Sequence, residues 1–570
     1  MAEKVLFARK ATGLVREIGF TTAVLIALCN TIGLGWQKRV FQASGAAAVP
    51  SADYVLGLHP AIMGFVLIGV VILISVYAYA VLAASMPRSG GGYVFMSRIL
   101  NPGFAFVATI LEFLSIAISF GLIAVATFEA TLIFGGMAGV DTSALATGWF
   151  MTLFGVVVVA LFSIPAAMGT RMTGKLLQVL FWIPASILVV VYLVFLMASP
   201  ASMDKGVQMI TQGHTAVEYT KAAIAQGLTG AAGGYWGAVL ATFPFVYWAY
   251  IGYAAASFVA GEVKEASRQL PKAMMTAGVI IVLIYITISF LLARAGNMVG
   301  REGGWSLLDA VAFLRFGGGS FADAGLPSIG AWMPVFAGIS AFGQFGEVGG
   351  RLFAWLLLLF GVCWVANDIP PFILTSSRLI FAMGFDRILP EKLADVDERW
   401  HSPVNAIIVT SIAGLFGVIC EADLFSGGAG RFNIPALVPI ISSGGAVTAT
   451  DIWDILFFAG MGLACALFPM RKKDVFDRSL YAKKATLVQV MGWLAFIVNI
   501  WVGYILIFDR NAYNFMGTLQ SRDLGKILTS GPMFTVYMVV VSILLYYWGR
   551  NRAKRVGADL TTIYAQIPPE

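Results

Sequence analysis

Apolar residues run through this chain in long blocks separated by short polar interruptions. "GFVLIGVVILISVYAYAVLAA" and "VTSIAGLFGVI" span or nearly span the roughly 20 residues that a hydrocarbon core requires of a helix. The pattern predicts spans at 18–45, 60–85, 103–136, 148–167, 176–198, 236–260, 273–296, 347–383, 403–421, 451–470, 486–508 and 533–549. That is an all-α membrane protein of about 12 transmembrane helices. Two of the spans carry residues that do not belong inside a helix. The first holds "NTIGLG" at 30–35, and the sixth holds Pro244 and Gly252 within "FPFVYWAYIGYAAASFV".

Broken backbone at membrane depth is tolerated only where the freed groups face protein or an aqueous cavity. Interruptions five spans apart are the pattern of a 5+5 inverted-repeat (LeuT-like) fold with discontinuous helices 1 and 6. The first repeat is expected at 18–198 and the second at 236–470, with two additional helices at 486–549. A cytoplasmic segment of 1–17 precedes them and a cytoplasmic tail of 550–570 follows. Unwinding exposes N–H groups at the start of one half-helix, which suit a carboxylate. It also exposes carbonyls at the end of the other, which suit an ammonium. The alternative is that Gly33, Gly35 and Gly252 serve only tight helix packing.

Composition sharpens the class. The chain of 570 residues is 59% hydrophobic and 12% charged, with a mean hydropathy of +0.85. A soluble protein carries about 25% charged residues. The net charge of +7 points to topology rather than to nucleic acid. With the N-terminus inside, about 25 of the 37 basic residues fall on the cytoplasmic side, in "RKATGLVR", "KEASRQLPK", "RKKDVFDRSLYAKK" and similar segments. The expectation is a multi-pass protein of the cell membrane with both termini cytoplasmic. The N-terminal segment has no signal-peptide pattern. The Gly-rich segments 199–235 and 297–346 are expected outside, as flexible loops or short lid helices.

Chemistry excludes several classes. The three histidines, His59, His214 and His401, fall in loops or at span ends, and no phosphate-binding Gly-Lys motif is present. The four cysteines lie in or beside apolar spans without metal-ligand spacing. An enzyme, a cofactor, a nucleic-acid partner and an obligatory protein partner are therefore not expected. Membrane lipid and a small-molecule substrate are.

Ionisable residues within spans are functional hypotheses by default. Asp368, beside Asn367 in "CWVANDIPPFILTSSR", is the first candidate for H+ or Na+ coupling. Its alternative is a satisfied carboxylate marking the kink at Pro370-Pro371. Glu112 is a second candidate, as proton site, pocket partner for an amine, or structural carboxylate. Glu129 is read as interfacial. Asp451 and Asp454 are placed at the opening of the tenth span, lining an external vestibule or capping the helix.

Four stretches resemble amino acid–polyamine–organocation transporters of the prokaryotic amino acid permease type. They are "NTIGLG", "PRSGGGYVFMSRILNPGFAF", "YWAYIGYAAASFVAGEVKEASRQLP" and "SSRLIFAMGFDRILPEKLADVDERWHSPVNAI", in the family's order over about the first 410 residues. The resemblance implies carboxylate-binding amides at Ile32, Gly33, Leu34 and Gly35. It implies amine-binding carbonyls at Thr31, Trp248 and Ile251, beside Gly252, with the Trp248 ring closing over substrate. The chain departs from the family in four places. Ala254 stands where the arginine/agmatine branch has a glutamate, Ala266-Ser267 replaces "N-P", Phe385-Asp386 replaces "R-D" before the eighth-helix loop, and Pro184 stands where some proton-coupled members have a lysine. The implied function is a secondary transporter, symporter or exchanger, of neutral or apolar amino acids. Alternatives are a polyamine or cationic-amine exchanger, or a nutrient sensor or channel on the same fold.

Overall fold

The computed structural model describes residues 7–8, 11–46, 48–425, 442–509 and 515–569. The N-terminal segment, residues 426–441 of the second expected repeat, and the last tail residue thus lie partly or wholly outside the described residues.

In chain order the helices begin with α1 (Phe20–Cys29), α2 (Leu34–Ala46), α3 (Pro60–Ser85), α4 (Gly91–Ile99) and α5 (Pro102–Met137). Next come α6 (Gly148–Ala167), α7 (Thr170–Leu196), α8 (Pro200–Ile210), α9 (Ala216–Ala225), α10 (Gly234–Tyr250), α11 (Ala255–Phe258) and α12 (Ala266–Gly296). Then follow α13 (Leu307–Phe316), α14 (Met333–Ala366), α15 (Ile369–Phe385), α16 (Val404–Phe425), α17 (Ser443–Arg471) and α18 (Lys473–Phe476). The chain closes with α19 (Ala485–Phe508), α20 (Phe515–Gln520), α21 (Leu524–Leu528), α22 (Gly531–Arg555) and α23 (Leu560–Ala565).

Among the described residues, eleven helical stretches are long and apolar enough to cross a membrane, with α1–α2 and α14–α15 each counting as one. The remaining expected span, the sixth at 236–260, is divided into the 17-residue α10 and the four-residue α11, so neither piece reaches spanning length alone. Helix starts follow local chemistry. Pro60 and Pro102 occupy first-turn positions where a missing N–H costs nothing, and Asn101 accepts from the Gly103 and Phe104 amides.

Burial separates the inner helices from the outer ones. The most apolar window of α5 is 89% buried, against 17% for α22 and 28% for α6. Helix α5 packs on α14, α15, α16 and α17 and is the central post of the molecule. Trp149, Leu153, Val157, Leu161 and Ile164 of α6 form an exposed apolar face, as expected of a surface solvated by lipid.

Two boundaries differ from the sequence reading. The eighth span is preceded by helix from Met333, bent at Gly346 where φ is 73°, because the apolar face of 333–345 packs against α8. The tenth span begins at Ser443, capped by the Ser442 hydroxyl, about two turns before 451. Of the two forms expected for 199–235 and 297–346, flexible loops or short helices, the structure has short helices, α8, α9 and α13.

Both ends of the chain meet the same face. Ile18 pairs with the backbone at Glu262 and Lys264, and Arg88 donates to the Pro568 carbonyl at 2.6 Å. This side is called the terminal face below.

Candidate functional site

Helix α1 ends where Asn30, Thr31 and Gly33 remove helix propensity. The chain tightens there. The Thr31 and Ile32 amides both donate to the Leu28 carbonyl, at 3.1 and 2.7 Å, and the Gly33 amide donates to Thr31 at 3.2 Å. Two of the four amides assigned to a substrate carboxylate, Ile32 and Gly33, are therefore already engaged within the turn. The Leu34 amide, opening α2, donates to Asp368 Oδ2 at 3.4 Å. A Cβ at Gly33 would stand 1.7 Å from that oxygen, so only glycine leaves room for the carboxylate. Gly35 lies against α10, where a Cβ would be 2.7 Å from the Ala249 Cα. The break does hold a carboxylate, and it is the protein's own.

The second break touches the first. Gly252 has φ 110°, and a Cβ on it would be 1.9 Å from the Asn30 carbonyl oxygen. Positive φ and backbone-to-backbone contact both require glycine there. The Ile251 amide donates to the Trp248 carbonyl at 3.1 Å. The Thr31 carbonyl accepts from the Tyr285 hydroxyl at 2.5 Å, and the same hydroxyl lies 2.8 Å from the Ala249 carbonyl. Tyr285, on α12, thus ties the two breaks together. The Thr31 carbonyl thus already accepts twice, from the Gly33 amide and from Tyr285, and an amine there displaces one of them.

Between the breaks lies a small cavity of about 20 Å³, enough for about one water. Its walls include Asn30, Thr31, Ser119 and Trp248, with Asp368 from the α14–α15 junction and Asp454 from α17. No lysine, arginine or histidine lines it among the described residues. Asp368 Oδ1 and Asp454 Oδ1 are buried without a hydrogen-bond partner. Trp248 also lines a second cavity, of about 390 Å³, away from the terminal face. The indole is therefore a partition, and the Arg39 guanidinium stacks on it 4.0 Å from the ring centre.

The sequence profile described as "Amino acid permease" matches residues 18–565. The chain belongs to the amino acid permease family. Three proteins of Bacillus subtilis are similar to it. The methylthioribose transporter is 23% identical over 454 residues, covering 76% of this chain and 82% of the relative. The branched-chain amino acid permease is 24% identical over 423 residues, covering 72% and 76%. The serine/threonine exchanger is 25% identical over 405 residues, covering 69% and 74%. The chain is a transport protein of the membrane and not an enzyme.

Other assigned residues of the permease fall around this centre. Asn367 is fully buried, and neither its Oδ1 nor its Nδ2 has a hydrogen-bond partner. Glu112 stands one layer behind the cavity, 1% exposed beside Asp454, and its Oε2 has no hydrogen-bond partner. Ser115 donates instead to the Thr450 carbonyl at 3.2 Å. The reading of Asp451 and Asp454 as a vestibule or cap is corrected. Both are 2% exposed and sit two to three turns inside α17, because the helix starts earlier than its apolar run. Glu129 is likewise not interfacial but buried, with Lys38 Nζ at 2.9 Å.

On the terminal face the permease is sealed by two buried ion pairs. Arg98 meets both oxygens of Asp386 at 2.5 and 2.8 Å, and Arg378 meets both of Glu262 at 2.9 and 3.0 Å. The residues of this centre that the sequence reading missed were Tyr285 and Arg39. Each carried a faint signal, a polar group inside or beside an apolar run, but nothing in spacing linked them to the breaks.

Proposed function

We propose that this permease is a secondary active transporter, a symporter or exchanger. It moves amino acids, neutral or apolar ones first, across the cell membrane by alternating access. The pivot is the pair of breaks at 30–33 and 251–254, within two inverted five-helix repeats. The observation that carries this reading is the contact of Gly252 with the Asn30 carbonyl beside a small cavity roofed by Trp248. Carbonyls at Thr31 and Ile251 receive the substrate amine, and Leu34 and Gly35 receive its carboxylate. The names of the branched-chain permease and the serine/threonine exchanger support neutral substrates. The basic bias supports a cytoplasmic terminal face, which makes the 390 Å³ cavity above Trp248 the external entrance in this reading. Asp368, with Asn367, and Glu112 are the groups through which H+ or Na+ couples.

A second reading, exchange of cationic amines, is favoured by one observation. Asp368 and Asp454 face one cavity that no cation lines. Purified protein in proteoliposomes, given labelled amino acids and amines under imposed proton or sodium gradients, separates the two. Accumulation of leucine or serine supports the first reading and accumulation of diamines the second. If nothing accumulates or exchanges under any gradient, the carrier assignment fails.

A further inference from the structure

Asp368 stands where a zwitterionic substrate should place its own carboxylate. Its Oδ2 accepts from the Leu34 amide at 3.4 Å, over a bare Gly33 that leaves space for nothing larger than the oxygen itself. Helix α2 is 13 residues long, so its N-terminus carries the partial positive charge that draws an anion. Two anions cannot share that position. Asp368 is 4% exposed, and its second oxygen, Oδ1, has no hydrogen-bond partner, so the side chain is held on one side only.

The surroundings set what can neutralise it. Cys29 on α1 and Tyr285 on α12 face the carboxylate, and Asp454 on α17 lies across the cavity. From α5 the facing polar groups are the Ser115 and Ser119 hydroxyls, and from α10 the Trp248 ring. None of these is a cation. Among the described residues, no lysine, arginine or histidine stands against Asp368. A proton, arriving through the cavity, is the available way to remove its charge from within the molecule.

Resting on the transporter reading above, we propose that Asp368 and the substrate carboxylate compete for the one anion position at the start of α2, and that protonation of Asp368 releases the position to the substrate. The proton comes from water and stays on an Asp368 oxygen. The carboxyl group then loses its attraction to the helix end, and the incoming carboxylate takes over the Leu34 amide. Proton and substrate therefore bind together, because each removes the obstacle to the other. Linkage fixes the sign: one proton taken up per substrate makes affinity rise as pH falls, about tenfold per unit while Asp368 of the empty site is ionised. An amine that lacks a carboxylate does not need the position, and its affinity does not gain from acid.

The test is equilibrium binding of labelled L-leucine, L-serine and isoamylamine (leucine without its carboxylate) to the full-length protein in nanodiscs, from pH 5 to 8. Leucine or serine should bind more tightly as pH falls from 8, by up to about tenfold per unit until Asp368 of the empty site takes up its proton and the profile levels off, and isoamylamine should not. Asp368→Ala opens the position permanently. It should flatten the pH profile and tighten amino acid binding at pH 8 by about tenfold or more. Asp368→Asn, closer in shape, serves if the alanine variant does not fold, and should flatten the profile too. A wild-type slope retained in both variants, or an equal slope for isoamylamine, overturns the competition while leaving the transporter intact. Amines preferred over amino acids at every pH would make Asp368 a permanent resident anion and also overturn it. If none of the probes binds at any pH, and none accumulates in proteoliposomes, the transporter reading fails and the competition falls with it.

Discussion

The two ways out of the central cavity are closed by different chemistry. On the terminal face, Arg98–Asp386 and Arg378–Glu262 join helices through paired, fully buried hydrogen bonds. On the opposite face, one indole with a stacked guanidinium covers the cavity, and the nearest ion pair, Lys38–Glu129, is partly exposed. A buried bidentate pair has one geometry and resists separation. A stacked ring slides, because the attraction of a cation for an aromatic face is broad and weak. The difference implies that the Trp248 side yields first, and that opening the terminal face requires breaking charged contacts together.

The largest effect should follow from leaving one of those charges alone. Glu262→Ala strands the Arg378 guanidinium and should cost about 3–5 kcal/mol, read as a lower thermal unfolding midpoint. It should also expose buried Cys29 to a thiol reagent applied from the terminal face. Replacing both partners with Met should recover most of the stability. A loss below about 1 kcal/mol for the single variant would erase the contrast between the faces.

A smaller effect is expected at the roof. Trp248→Ala merges the two cavities and removes the stack with Arg39. Leucine affinity should fall about tenfold with the thermal midpoint nearly unchanged, consistent with about 0.5–2 kcal/mol for such contacts. Unchanged affinity would remove Trp248 from the site.

The smallest belongs to the rim. Lys38→Met should change the apparent KM by less than about threefold, and the change should vanish at high salt, because partly exposed pairs are worth up to about 1 kcal/mol and are screened. A salt-independent effect above tenfold would make Lys38 part of the binding site.

Much of the architecture was legible because lipid imposes a single rule along the chain. Apolar length decides a span, and residues such as Asn30, Gly33, Gly35 and Gly252 can interrupt one only beside a cavity or a close neighbour. Asp368 was singled out for the same reason, since a charge within a span needs a purpose. Its partner was not legible. A separation of 334 residues divides Asp368 from Leu34, and no periodicity spans that distance. Asp454 was misplaced because its apolar window starts later than its helix does, so a residue deep in α17 looked terminal.

The sequence by itself determined the class, the family resemblance and the two points at which helices break. These follow from local hydrophobicity and propensity, which act residue by residue. Only the tertiary structure decided what fills the breaks. Backbone amides freed by an interruption donate to whichever anion the fold delivers, and here packing of α14–α15 delivers the Asp368 carboxylate before any substrate arrives.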